Sequence, residues 1–146
     1  MQAASPDELA LVQASADVGF RFIEKTTEYH KISIDYLGKR QEKYLVLAEF
    51  PFDSTRKRMS LIVKEELSGK LFLMTKGADS IMLPRTTLTA KDRAVIDEHL
   101  YKFACSGLRT LVMAQKEIDV LEYKSWSLKY QEVMTSNSAD KEEQLN

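Results

Sequence analysis

A change of hydrophobic period near residue 20 constrains this chain more than any other feature. Phe20 and Phe22 stand two apart, as do Ile32 and Ile34 beyond Tyr29. Aromatic and β-branched residues in period two are the pattern of half-buried strands. Leu37-Gly38-Lys39 reads as a turn, residues 44–50 as a further strand and residues 59–64 as another, and Ser68-Gly69 as the hairpin turn into a strand over 71–75. Connections this short cannot carry the chain back along a sheet, so successive strands must run antiparallel.

Helical spacing brackets this meander. Ser5, Pro6 and Glu8 supply an N-cap, a first-position proline and the third-position acid of a capping box, ahead of Leu9, Val12 and Ala16. Gly19 closes that helix. Thr89 with Asp92 predicts a second helix over 90–106, with Ile96, Leu100, Phe103 and Ala104 on one face, Cys105 near it as a packing residue, and Gly107 past the end. Residues 108–114 read as a strand, and Tyr123, Trp126, Tyr130 and Val133 as the core-facing stripe of a last helix. The expected fold is α+β, an antiparallel β-sheet flanked by helices, forming one domain over residues 1–135 with a polar tail over 136–146 that frays.

Composition removes several functions. Of the 146 residues 44% are apolar, enough for one core. The 21 Lys and Arg against 22 Asp and Glu leave a net charge of -1, so no overall field draws in nucleic acid or an anionic membrane, and a basic site must be local. No apolar run approaches the ~18 residues of a membrane span, and the N-terminus does not lead from basic to apolar residues as a signal peptide does. One cysteine excludes an internal disulfide and a cysteine-built zinc site. His30 and His99 lie on different elements without acid or cysteine partners at ligand spacing, so neither a metal site nor a histidine-activated nucleophile is expected.

Three polar clusters remain. Phe52-Asp53-Ser54-Thr55-Arg56-Lys57-Arg58-Met59-Ser60 puts cations beside an aromatic ring, a combination suited to a ligand with a base and phosphates. By itself it better suits an edge strand guarded by charge, with Phe50 and Phe52 in the core, since a basic run is common and no glycine-rich phosphate cradle accompanies it. Lys76-Gly77-Ala78-Asp79 sets a lysine at a strand exit before a glycine that admits close approach to the backbone. Gly107-Leu108-Arg109-Thr110 sets an arginine past a helix end, at the mouth of the next strand. Taken singly, the first two are better explained as structural or solvated surface, the third says little, and Glu8 is better explained by capping. No Walker, dinucleotide or nucleophile-elbow motif is present.

In order, Ser5-Pro6-Asp7-Glu8, the Phe52–Ser60 run, Lys76-Gly77-Ala78-Asp79 and Gly107-Leu108-Arg109-Thr110-Leu111 resemble the nucleotide-binding domain of P-type ATPases, and within them the phospholipid flippases, from about residue 2 to about residue 134. The resemblance implies that Phe52 stacks on adenine and that Lys76, with Gly77 beside it, lines the adenine pocket. It implies that Glu8 hydrogen-bonds the base, that Lys57 and Arg109 neutralise phosphate, and that Ser54 and Thr110 flank them. Glu49-Phe50-Pro51-Phe52 offers two rings; counting back from Arg56-Lys57-Arg58 selects Phe52, with Phe50 as alternative. Leu9 replaces a smaller residue common in the family after the first motif.

The family's Asp-Lys-Thr-Gly-Thr phosphorylation loop is absent from the sequence. What is implied is therefore an excised, soluble, cytosolic domain of an integral membrane pump, with no catalytic residue and no turnover of its own. ATP and ADP would be its ligands, and Mg2+ would be held mainly by the missing phosphorylation domain. That domain and the actuator domain would be its partners, and phospholipid would be met only through the missing membrane domain. Two alternatives stand beside this: the same domain of a cation or polyamine pump, and a non-enzymatic module that binds phosphate or nucleic acid through Arg56-Lys57-Arg58.

Overall fold

The computed structural model describes residues 5–36 and 38–135. The expected tail over 136–146, and Leu37 of the expected turn, lie outside the described residues. The order is α1 (Pro6–Asp17), β1 (Phe20–Lys25), β2 (Tyr29–Ile34), β3 (Arg40–Asp53), β4 (Arg58–Glu65), β5 (Leu71–Gly77), α2 (Asp79–Met82), a 3-10 turn (Leu83–Arg85), α3 (Ala90–Cys105), β6 (Val112–Ile118) and α4 (Val120–Thr135). The strands form one six-stranded sheet in the order β1-β2-β3-β4-β5-β6. The fold is α+β, as the change of period predicts. No described helix is long and apolar enough to cross a membrane.

The chain divides into two compact units, one of Met1–Ala48 with Ile62–Phe72, the other of Glu49–Leu61 with Leu73–Asn146. In the first, Ser5 caps α1 by accepting the Glu8 amide at 3.2 Å, Pro6 takes the first turn, and Gly19 leaves the helix at φ 92°. α1 packs on β1. Its half-buried side carries Glu8, Leu11 and Ala16, while Leu9 and Val12 of the expected stripe are exposed. The two stripes are neighbours on one helix, and only the β1 contact selects between them. β1 pairs antiparallel with β2, Phe20 opposite Ile34, with a register shift between Phe22 and Glu24, and β2 pairs with β3, Tyr29 opposite Leu45. A shift of this kind bends an edge strand away from further pairing. Ile34, Ile62, Val63 and Leu71 form the core here. Ile62 and Val63 point to opposite faces of β4, so both faces are covered at that position.

In the second unit, Met82 and Leu83 are buried, and the one buried polar residue among those described, Ser60, is satisfied by Thr75 Oγ1 at 2.9 Å. Phe50 of β3 meets Trp126 and Tyr130 of α4 edge-on, at centroid distances of 6.0 and 5.7 Å, and those two rings stack at 4.9 Å. The aromatic stripe of the last helix therefore packs as its spacing predicts. Thr89 caps α3 by accepting the Asp92 amide, and Gly107 (φ 69°) closes it, with Gly107 and Leu108 amides donating to Ala104 and Phe103 carbonyls. Three expectations need correction. Cys105 is exposed, not packed; Phe103 and Ala104 are exposed too, and only Ile96 and Leu100 of the expected face are half-buried. Helical spacing marks a face, but covering it takes an element that packs there. β6 starts at Val112, four residues later than expected, because the turn closing α3 leaves 108–111 outside the strand. It then runs on through Gln115-Lys116-Glu117, since a strand last in the sheet order can carry polar residues.

Candidate functional site

The basic cluster is a hairpin loop. β3 ends at Asp53 and β4 starts at Arg58, leaving Ser54-Thr55-Arg56-Lys57 to reverse the chain. Asp53 organises it: Oδ1 accepts the amides of Thr55 and Arg56, each at 2.8 Å, and its carbonyl accepts the Lys57 amide at 2.6 Å. Those donors, the Arg56 amide first, hold the Asp53 carboxyl below its usual range. Lys57 closes the turn at φ 51°, the left-handed conformation, and is the one non-glycine residue with positive φ among those described. The sequence feature that could have revealed this is Asp53 itself, a residue whose side chain mimics a backbone turn.

Gly77 joins the second motif to this loop. A Cβ built there would lie 2.6 Å from the Lys57 carbonyl oxygen and 2.8 Å from Arg58 Cβ. Beyond it, the Ala78 amide donates to the same Lys57 carbonyl at 3.2 Å. The backbone approach for which the glycine is suited is thus made by the chain's own hairpin. The Ser60–Thr75 bond and the Gly77–Arg58 approach put Arg58, Ser60, Thr75 and Gly77 on one sheet face. Alternation along β5 then puts Lys76 on the other.

The two rings differ sharply. Phe50 is engaged by Trp126 and Tyr130 and has the Arg56 guanidinium carbon 5.7 Å from its centroid. Phe52, two residues on and on the same face of β3, is 65% exposed. Ser54 and Lys57 are exposed with it, Lys76 is half-buried and Gly77 buried. Arg109, exposed, and Thr110, half-buried, belong to the same unit and lie on the irregular segment between α3 and β6. Glu8 stands half-buried on α1 in the first unit. Arg58 is half-buried, and its guanidinium is pushed below the ordinary arginine range by burial and by the nearby Arg56 and Arg85. Among the described residues no group of three or more His, Cys, Asp or Glu is placed to hold a metal ion.

An exposed ring beside a cation-bearing loop of fixed backbone can stack a flat heteroaromatic base and neutralise an attached oxyanion. Comparison with known proteins bears on which base and which anion. A family model described as P-type ATPase, cytoplasmic domain N, matches residues 2–146. The chain is 38% identical over 145 residues to phospholipid-transporting ATPase 10 of Arabidopsis thaliana, covering 97% of the chain and 12% of that protein. It is 41% identical over 131 residues to phospholipid-transporting ATPase IK of Mus musculus (90% and 10%), and 40% over 143 to phospholipid-transporting ATPase DRS2 of Saccharomyces cerevisiae (96% and 10%). It therefore spans about a tenth of the length of these curated relatives.

Proposed function

The chain belongs to the P-type ATPase cytoplasmic domain N family, and from that premise we propose that it is the ATP-holding part of a phospholipid-transporting pump. Adenine stacks on Phe52, and Lys76 lines the pocket. Lys57 and Arg109 neutralise phosphate charge, flanked by Ser54 and Thr110. The observation that carries this reading is the packing of Gly77 and Ala78 against the Lys57 carbonyl, which fixes the close of the loop while the Phe52 ring stays exposed. Glu8, on the first unit, is assigned to the base by its motif alone.

In the whole pump the domain's work is positioning. Binding energy at adenine holds the γ-phosphate where a carboxylate of the phosphorylation domain attacks phosphorus in line, with ADP leaving, and the resulting phosphoenzyme drives lipid translocation. Mg2+ would supply charge neutralisation at the transferred phosphate, and the family resemblance assigns it mainly to the phosphorylation domain. The names of the relatives support phospholipid as the cargo.

A base stack contributes ~1 to 3 kcal/mol and each exposed cation ~0.5 to 1, for a dissociation constant of order 1 mM. An amide NMR titration with AMP, ADP and ATP, with and without Mg2+, tests this. Saturable shifts at Phe52, Lys57, Lys76 and Arg109 for all three nucleotides are expected, and Phe52→Ala should weaken each about tenfold. No shift at ~10 mM nucleotide, roughly ten times the expected constant, would reject the site.

A further inference from the structure

Arg56 is the cation of the loop to which the nucleotide reading gives no contact. Its guanidinium lies over Phe50, 5.7 Å from the centroid, and makes no ion pair among the described residues. Its Nε is buried without a hydrogen-bond partner. A buried donor left unpaired is costly, and a lysine would avoid that cost. What arginine adds is a planar cation that lies flat on a ring. That ring is itself held edge-on by Trp126 and Tyr130. The Arg56 main chain is fixed as well: its amide donates to Asp53 Oδ1 at 2.8 Å and its carbonyl accepts from Arg58 Nη1 at 3.3 Å. The loop is pinned at one end by the Asp53 carboxylate and at the other by a side chain folded back onto β3, on the strand face that also carries Phe52.

We infer that Arg56 is a positioning residue for the proposed adenine site: by clamping the loop onto Phe50, it holds the Phe52 ring in the arrangement that receives the base. This rests on the nucleotide reading given above. Arg56 acts through Phe50 and touches no phosphate, so its loss must weaken AMP, ADP and ATP alike. Its effect must also vanish once Phe50 is gone.

The test is a double-mutant cycle in the 146-residue chain, with wild type, Arg56→Lys, Phe50→Leu and the double variant titrated with AMP, ADP and ATP by NMR. The inference expects each single variant to raise all three dissociation constants by a similar factor, about fivefold, and the double variant to lose no more than the weaker single. The emission of Trp126, the only tryptophan, should shift in Phe50→Leu, and amides of 54–57 should show exchange broadening in both singles while those of β1 and β2 stay unchanged. A loss that grows from AMP to ATP would make Arg56 a phosphate contact and overturn the inference. So would unchanged constants in variants of a wild type that binds. A wild type that binds no nucleotide rejects the adenine site itself, and the inference with it. Should Arg56→Lys not fold, Arg56→Gln takes its place in the cycle with the same expected and overturning outcomes.

Discussion

Lys57 sits at φ 51° at the close of the loop, where an L-residue costs about 1 kcal/mol that glycine does not. Lys57→Gly should therefore leave the melting temperature unchanged or raise it, yet weaken ATP more than AMP, because the charge is lost while the backbone is relieved. Thermal unfolding and nucleotide titration check the two halves separately. Asp53 gives the loop a pH dependence. Its carboxyl is held down by the Arg56 and Thr55 amides, so its support is complete above the unfolded carboxylate value, about pH 4, and is lost as pH falls through the lower native value. The Thr55 and Arg56 amide shifts should titrate with a midpoint below about 3.9, and Asp53→Ala should abolish the titration. Phe52 could be picked out as a candidate from sequence, because an aromatic followed by a basic run is a local pattern. That it is open while Phe50 is engaged could not, because Phe50's partners are Trp126 and Tyr130, more than seventy positions away.

At the level of elements, two glycines make opposite demands. Gly107 closes α3 at φ 69° with nothing within 4 Å of a built Cβ, so it answers to backbone conformation alone. Gly77 has an ordinary φ, and a Cβ there would meet the Lys57 carbonyl at 2.6 Å. Gly77→Ala should cost about 1–3 kcal/mol by overpacking between β5 and the start of β4, and should move the 54–57 amides. Gly107→Ala should cost about 1 kcal/mol and leave those amides alone. Urea unfolding with NMR of both variants separates the cases. The caps at Ser5 and Thr89 were legible because a side chain and the amide it accepts lie three positions apart. The start of β6 was not, because pairing depends on the neighbouring strand and apolar content alone does not show where it begins.

For the molecule as a whole, the nucleotide reading and the absence of Asp-Lys-Thr-Gly-Thr from the sequence lead to one expectation. The chain should bind ATP and release no phosphate from it, so a phosphate-release assay at saturating ATP and Mg2+ should stay at the uncatalysed rate. By itself the sequence determined the α+β class, the antiparallel meander, the helix caps and the ordered motifs that mark the family. Each of these is written within a few consecutive residues, where period, capping and turn chemistry act directly. Only the tertiary structure decided which side of α1 is covered, that Cys105 stands in solvent, and that Gly77 receives a carbonyl of the chain itself. It also decided that Arg56 lies on Phe50. The physical reason is common to all four: exposure and close approach are set by what packs against a residue, and those partners come from other elements whose placement no local pattern encodes.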